Sequence, residues 1–259
     1  MAHDACSLRT VDLLGVFWRS FFIQASWSYD RMQSLGFSFA LIPVLRRLYP
    51  DREERSARMA EHMEYFNTQP YFASFVLGAA ARREEDRATG RDPGADPAEV
   101  KKTLMAPLGA LGDSFFWGAF KPLAGVVAVV ALMAGAWWAP LLYLVLYNAV
   151  HIGLRATLVF AGYATGGDAV ALMARYNFTR MARVCKALSL AIIGCMLGSV
   201  TAWDQGFMPF GPLPGILLGA AGLAAAMGMT VLLRAGASPV KLMLGLAALC
   251  LGLALGGII

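Results

Sequence analysis

Long stretches without a charged side chain dominate the C-terminal half of this sequence. Four of them contain no Asp, Glu, Lys or Arg: residues 122–154, 187–203, 205–233 and 242–259. A helix that crosses a lipid bilayer needs about 20 mostly apolar residues, and lengths of about 17 to 25 are tolerated. The last three stretches therefore each fit one membrane-spanning helix, whereas the first is too long for one.

The first stretch contains a natural point of division. Trp137 and Trp138 stand near its middle, and Pro140 follows them. Tryptophan favours the headgroup level of a membrane, and proline breaks the hydrogen bonding of a helix. We therefore predict one span near 122–138 and another near 140–163. The fold class is then an all-α, polytopic integral membrane protein with about five transmembrane helices.

The first 121 residues have a different pattern. They hold 15 of the 22 Lys and Arg residues and 15 of the 17 Asp and Glu residues, and their apolar blocks are short. Such blocks suit amphipathic helices at the membrane interface or re-entrant helices. We therefore predict a cytoplasmic-side amphipathic and re-entrant helical region, 1–121, followed by a transmembrane region, 122–259. Asp4 and Asp12 precede or interrupt any apolar run at the start, so we expect no cleaved secretory signal.

The most hydrophilic stretch of the chain is residues 82–102, which read RREEDRATGRDPGADPAEVKK. Its charge density, together with its Pro and Gly residues, is typical of a loop. We predict an exposed loop here, with a short helix near residues 97–102.

The positions of the cations predict the orientation of the chain. Basic residues lie between the second and third spans and between the fourth and fifth, whereas the link 203–211 carries Asp204 and no cation. Because cytoplasmic loops carry an excess of Lys and Arg, the basic links are predicted to be cytoplasmic. This places residues 1–121 inside and Ile259 outside. The net charge of +5 is explained by this topology, and no basic tract interleaved with aromatics predicts a nucleic-acid partner. The basic residues concerned are Arg175, Arg180, Arg183, Lys186, Arg234 and Lys241.

Aromatic and hydrogen-bonding side chains are concentrated in FWRSFFIQASWSYDRMQSLGF, residues 17–37. A sugar needs this combination, because an aromatic face covers its C–H surface while amides and hydroxyls pair with its OH groups. Gln24 and Trp27 are the candidate contacts. An amphipathic helix at the membrane interface explains the same composition without a ligand.

A second group of polar residues occurs in YFNTQPYF, residues 65–72. Pro70 disfavours a helical conformation at Gln69 and suits a first helical turn, so Asn67 or Thr68 is a candidate cap for the following helix. The alternative is a break between two short helices, in which Asn67, Thr68 and Gln69 face a polar solute.

A third candidate is Asp113, in LMAPLGALGDSFFWG, residues 104–118. Pro107, Gly109 and Gly112 interrupt an apolar segment just before its only carboxylate, a pattern typical of a discontinuous membrane helix. An ionisable side chain at membrane depth indicates a functional site. The alternative is a helix cap at the water interface, which would stabilise the helix by about 1 kcal/mol.

Asn148, His151 and Arg155 fall at i, i+3 and i+7, so they share one face of the span near 140–163. Such residues avoid lipid, and packing against a partner or snorkelling explains them as well as a ligand does. The sequence has no GxxxxGK[ST], HExxH or GxSxG motif and only three His residues, so we expect no metal, no cofactor and no catalytic residues.

Four blocks, in one order, carry a resemblance to a known family: FWRSFFIQASWSYDRMQSLGFSFALIPVLRRLYPDREER, YFNTQPYFASFVLG, LMAPLGALGDSFFWGAFKP and YNAVHIGLR. They resemble the IID component of the mannose/fructose/sorbose-type phosphotransferase system (PTS) sugar permeases, over residues 13–167 and more loosely beyond. The family usually has His where this chain has Gln69. If that His helps to choose the sugar, the specificity of this chain differs.

The resemblance implies a subunit of the bacterial inner (cytoplasmic) membrane that forms a translocation unit with a IIC membrane subunit. Separate cytoplasmic IIA and IIB components supply the phosphate, so His62 and His151 are not expected to carry it. On this basis we expect lipid and a hexose-class sugar as partners. The residues expected to contact the sugar are Asn67, Thr68, Gln69, Asp113, Gln24 and Trp27. The alternative is a scaffold that stabilises the IIC partner without touching sugar.

Overall fold

A computed structural model describes residues 7–91, 96–168, 176–203, 224 and 227–256. Within these ranges the regular structure is helical, with two isolated β-bridges, Ser28↔Met32 and Met32↔Phe66, so the predicted all-α class is confirmed. Residues 227–234 form a helical stretch in addition to the elements named next. These are α1 (Thr10–Ser20), α2 (Ser34–Leu48), α3 (Arg52–His62), α4 (Ala73–Ala88), α5 (Pro97–Gly112), a π-helical segment (Asp113–Phe120), α6 (Lys121–Met133), α7 (Ala139–Thr165), α8 (Phe178–Trp203) and α9 (Pro239–Leu255).

The chain forms two compact units, Met1–Ser189 and Leu190–Ile259. The first unit contains the buried core described below. The second unit contains the C-terminal part of α8, the helical residues 227–234 and α9. The predicted span 205–233 and the link with Asp204 lie mostly outside the described residues, as does Arg175.

Helix α4 is the centre of the first unit, and its apolar N-terminal half is buried on all sides. It packs closely against α7 because glycine occupies both sides of the contact. A Cβ atom at Gly78 would lie 2.0 Å from the carbonyl oxygen of Val159, and one at Gly162 would lie 2.1 Å from that of Phe75. The two backbones are therefore in direct contact, and this contact fixes the start of α4, where the polar loop before it ends.

Among the residues that the structure describes, two continuous helical segments are long and apolar enough to cross a membrane, Pro97–Met133 with 37 residues and Ala139–Thr165 with 27. The break between them lies where the sequence predicts it, because α6 ends at Met133 and Pro140 stands in the first turn of α7. The segment 187–203 is helical as part of α8, and residues 242–255 are helical as part of α9.

The structure differs from the sequence prediction at Pro107, Gly109 and Gly112, where no break occurs. Helix α5 continues through all three residues, and the chain then changes to π-helical geometry at Asp113. Gly112 allows close packing and does not break the helix. A Cβ at Gly112 would lie 2.6 Å from Cβ of Gln69, and one at Gly109 would lie 3.5 Å from Oγ1 of Thr68.

The acidic run that was expected in an exposed loop is mostly helical and buried. Residues 82–88 form the last turns of α4, and the side chains of Glu84, Glu85 and Asp86 are all buried. Each has a partner, which offsets the cost of removing a carboxylate from water. Glu85, for example, accepts a hydrogen bond from the Leu8 backbone at 2.8 Å and one from the Tyr163 hydroxyl at 2.5 Å.

Glu84 joins three elements of the first unit. One of its oxygens lies 2.7 Å from the Tyr49 hydroxyl and the other 3.0 Å from Nε2 of His62. Burial alone would raise the pKa of Glu84, but the hydrogen bonds from His62 and Tyr49 and the charge of Arg87 hold the pKa below its ordinary value. The ends of α2 and α3 are therefore tied to α4 by an ionised carboxylate.

Candidate functional site

Five of the six predicted contact residues meet at one cavity of about 450 Å³ in the first unit. Its walls come from the loop after α1, the loop between α3 and α4, the C-terminal half of α5 and the start of the π-helical segment. Trp27 does not line it, and its side chain is exposed. The lining residues are Gln24, Gln33, Tyr65, Asn67, Thr68, Gln69, Pro70, Met105, Ala106, Gly109, Ala110, Asp113 and Trp117.

Gln69 has a divided role at this cavity. Its Oε1 accepts hydrogen bonds from the backbone N–H of Tyr71 at 2.8 Å and of Phe72 at 3.1 Å. These donors lie at the start of α4, so Gln69 caps the helix. The sequence pattern had indicated Asn67 or Thr68 as the candidate cap. Because the backbone donors require the oxygen, the amino group must point the other way. Its Nε2 is buried and has no partner.

Thr68 contributes a second polar atom of the same kind. Its Oγ1 is buried without a hydrogen-bond partner, and the side chain lies against Gly109 of α5. A buried polar group without a partner costs about 1–3 kcal/mol. Both atoms belong to residues that line the same cavity.

The remaining predicted residues lie at the open side of the cavity. Gln24, Asn67 and Asp113 are all exposed to solvent. The cavity is thus lined by the buried residues Thr68 and Gln69 and by exposed residues that offer amide groups and a carboxylate. A ligand rich in hydroxyl groups matches this set, since each hydroxyl both donates and accepts.

The π-helical segment sets the position of Asp113, its first residue. In π geometry each turn takes up more residues than in an α-helix, and such segments are frequent at functional sites. Trp117 lies four residues further and lines the same cavity. Its ring is partly exposed and lies 6.1 Å from that of Tyr71. The segment therefore supplies an aromatic surface beside the carboxylate.

Sequence reasoning missed three of the lining residues that matter chemically, namely Trp117, Tyr65 and Gln33. Trp117 had a detectable signal, because the spacing from Asp113 to Trp117 places both on one face of a helix. Tyr65 lies in the tract that was already singled out. Gln33 had no local signal, since its role depends on contacts with a loop more than thirty residues away.

The predicted shared face of Asn148, His151 and Arg155 is confirmed, and it packs inside this chain. His151 accepts or donates a hydrogen bond with Asn148 at 2.8 Å and stacks on the ring of Tyr71 at 4.5 Å. The Arg155 guanidinium donates hydrogen bonds to the backbone oxygen and the hydroxyl of Ser20, and it lies 5.2 Å from the Tyr71 ring. These residues do not line the cavity. They hold Tyr71, which follows the loop that does.

The chain is similar to known proteins in both sequence and structure. Residues 7–259 match the family model of the PTS system mannose/fructose/sorbose family IID component. The chain is 38% identical over 193 residues to the PTS system mannose-specific EIID component of Escherichia coli (strain K12), which covers 73% of this chain and 68% of that protein. It is 31% identical over 194 residues to the PTS system sorbose-specific EIID component of Klebsiella pneumoniae, which covers 74% and 69%.

Two solved structures are also similar. One is the cryo-EM structure of the mannose transporter ManYZ in complex with microcin E492, at a TM-score of 0.59 and 31% identity, covering 98% of this chain and 98% of that one. The other is described as a membrane protein, at a TM-score of 0.74 and 31% identity, covering 97% of this chain and 98% of that one.

Proposed function

This chain belongs to the mannose/fructose/sorbose family of PTS IID components, and we propose that its polar cavity forms part of the sugar pathway. It is a membrane subunit of a bacterial PTS sugar permease. In the proposal it pairs with a IIC subunit and translocates a hexose-type sugar. The observation that carries the proposal is this cavity. Asn67 and Asp113 line it with exposed polar groups, and Thr68 and Gln69, which also line it, each hold a buried polar atom without a hydrogen-bond partner.

The side chains divide the recognition of the sugar between them. The Oε1 of Gln69 is engaged by the backbone N–H groups of Tyr71 and Phe72, so in the proposal it is the amino group that donates to a sugar oxygen. Asp113 accepts from a sugar hydroxyl, while Asn67 and Gln24 are able to do either. Trp117 supplies the stacking surface, because it lines the cavity and Trp27 does not. This chain holds and orients the sugar.

The phosphate comes from elsewhere in the proposal. Cytoplasmic IIA and IIB components carry it, and IIB transfers it to the sugar at the inner face. Residues 1–121 form the cytoplasmic-side amphipathic and re-entrant region, and 122–259 form about five transmembrane helices. The charge-free stretches and the basic links support this arrangement, with the N-terminus inside and Ile259 outside.

The test is sugar binding by the purified complex of this chain with its IIC partner. Asn67→Ala removes an amide from the cavity, and Asp113→Asn removes a negative charge and replaces an acceptor oxygen with a donor. We expect each to weaken binding by about 3- to 30-fold, since such a bond is worth about 0.5–1.5 kcal/mol and more when charged. Radiolabelled mannose, fructose and sorbose are the probes, following the sugars of the related systems.

Thr157→Ala is the matched control, because this exposed hydroxyl on α7 bonds carbonyls of its own helix and does not line the cavity. We expect its affinity to equal that of the wild type. Unchanged affinity in both cavity variants, with normal assembly, would show that the sugar does not use this cavity. Lower complex yield with unchanged affinity would identify the chain as a scaffold for its IIC partner.

A further inference from the structure

The loop that carries Asn67, Thr68 and Gln69 has no helical structure of its own, and the side chain of Gln33, which lies between α1 and α2, bonds it. Gln33 donates from Nε2 to the carbonyl oxygen of Thr68 at 2.8 Å. The backbone N–H of Thr68 donates to Oε1 of Gln33 at 3.2 Å. We propose that Gln33 is a positioning residue for the sugar site, and that it acts by fixing the peptide groups of Thr68. This inference rests on the proposed function of the cavity.

The contact extends a short stretch of strand-like pairing. The backbone N–H of Gln33 donates to the carbonyl of Phe66 at 2.9 Å, and the N–H of Phe66 donates to the carbonyl of Arg31 at 3.4 Å. The side-chain amide of Gln33 then takes the place of the next peptide group, since it offers the same donor and acceptor pair. The loop is therefore held at Phe66 by backbone and at Thr68 by side chain.

Gln33 is committed to this role by its surroundings. It is 2% exposed, and both ends of its amide are engaged with Thr68, so neither is free for a ligand. Met32, directly before it, has φ of 53°, a left-handed conformation that a residue with a side chain seldom adopts. Its backbone is held there by paired hydrogen bonds with Ser28, at 2.8 and 3.3 Å. This unusual backbone turns the chain so that Gln33 faces the loop.

The proposed site needs such a support because its two buried polar atoms without partners belong to Thr68 and to the residue joined to it by the next peptide bond. Oγ1 belongs to Thr68 itself, and Nε2 belongs to the next residue, Gln69. On the other side the loop lies against the glycines of α5. Small displacements of a binding group weaken recognition strongly, and residues behind the contact groups prevent them. Loss of the Gln33 contacts therefore releases both donors at once.

The first test replaces Gln33 in the purified complex with the IIC partner. Gln33→Leu removes both hydrogen bonds at similar volume, and we expect affinity for mannose, or for whichever of mannose, fructose and sorbose the wild type binds most tightly, to fall about tenfold. Without sugar, we also expect faster amide hydrogen exchange across residues 66–69. A direct sugar contact by Gln33 would leave the exchange of the empty loop unchanged.

The second variant provides a rescue. A protonated carboxyl offers one donor and one acceptor, as an amide does, whereas an ionised one only accepts. Because position 33 is 2% exposed, burial raises the pKa of a carboxyl placed there above its ordinary value. Gln33→Glu is therefore expected to bind weakly at about pH 8 and to recover toward the wild type at about pH 5. Gln33→Leu, measured relative to the wild type, is expected to show no such recovery.

Ser38→Ala is the matched control on the same helix. This buried hydroxyl donates to the carbonyl of Met59 at 3.4 Å, away from the loop. We expect it to change neither sugar affinity nor exchange at residues 66–69. Wild-type affinity and loop protection in Gln33→Leu would overturn the inference, as would reduced yield with unchanged affinity. If Asn67→Ala and Asp113→Asn leave binding intact, the cavity assignment fails, while loop exchange still decides whether Gln33 holds the loop.

Discussion

The side chain of Gln69 serves two structures at once. Its oxygen caps α4 through two backbone donors, and its buried amino group has no hydrogen-bond partner. The cap fixes the direction of the amide, so the proposed site offers a donor at this position. The family that the chain resembles usually has His here. A neutral imidazole is able to accept at Nδ1 and donate at Nε2, which reproduces the same division.

Substitutions at Gln69 are expected to separate these two roles. Gln69→His keeps an acceptor for the cap and a donor for the cavity, so we expect normal assembly and a shifted order of preference among mannose, fructose and sorbose. Gln69→Leu loses both, and we expect α4 to lose about 0.5–2 kcal/mol of stability and sugar affinity to fall. Thermal unfolding and sugar binding of the purified complex measure the two effects. An assembled Gln69→Leu complex with wild-type affinity would contradict the assignment.

For single residues, the sequence predicts the chemical character of a side chain better than it predicts where the side chain lies in the fold. The polar character of Gln24, Asn67 and Asp113 is visible in the sequence, and these side chains do line the cavity. Trp27 has the same aromatic character as Trp117 but lies outside it. Which of two tryptophans meets a cavity depends on tertiary packing, and no local pattern records it.

Between elements, glycine determines how closely the site loop approaches α5. The α5 surface beneath the loop carries Gly109 and Gly112. The space that a Cβ would occupy at Gly112 is filled by Gln69, whereas a Cβ at Gly109 would make an ordinary contact with Thr68. These glycines looked like chain breaks in the sequence. Helix α5 continues through both residues, so they do not break the backbone. What they change is the surface that the loop contacts.

Adding one methyl group to this contact is expected to disturb the site. In Gly112→Ala the new carbon would lie 2.6 Å from Cβ of Gln69 and 2.9 Å from Cδ2 of Phe72, so the loop has to move. Displacements near 1 Å weaken site chemistry by up to about 100-fold, so we expect a loss of at least about tenfold in sugar affinity.

The control for that change is Gly125→Ala, in the next part of the same continuous helix. A Cβ there meets no atom within 4 Å, and alanine favours a helix over glycine by about 0.8–1 kcal/mol. We expect normal sugar affinity in this variant. If both glycine variants bind sugar equally well, close packing at Gly112 does not matter for the site.

The elements also show which patterns are predictive. The break between α6 and α7 was predicted because Pro140 and the two tryptophans act locally. The acidic residues of α4 were misplaced because their partners are distant in sequence, such as Tyr49 for Glu84. A charged run looks solvent-exposed until the residues that satisfy it are known.

At the scale of the whole molecule, the distribution of cations makes a prediction about orientation. A reporter fused after Ile259 is expected to give an external signal, and one fused at the N-terminus a cytoplasmic signal, because the basic links should remain inside. A reporter pair that works only outside, such as alkaline phosphatase, and only inside, such as green fluorescent protein, measures this. A cytoplasmic signal after Ile259 would reverse the assignment of the links.

The length of the continuous helix Pro97–Met133 can be compared with the thickness of a lipid bilayer. Its 37 residues rise about 55 Å, whereas the hydrocarbon core is about 30 Å thick. At the rise of an α-helix, Asp113 to Met133 spans about 30 Å, and Trp137 and Trp138 follow, where we predict the headgroup level. In the proposed placement, the exposed ion pair of Lys102 with Glu64, at 2.9 Å, lies in water beyond the other leaflet. In the proposed orientation, a sugar in the cavity has crossed most of the hydrocarbon core of the membrane. It then lies where a phosphate donor in the cytoplasm can reach it.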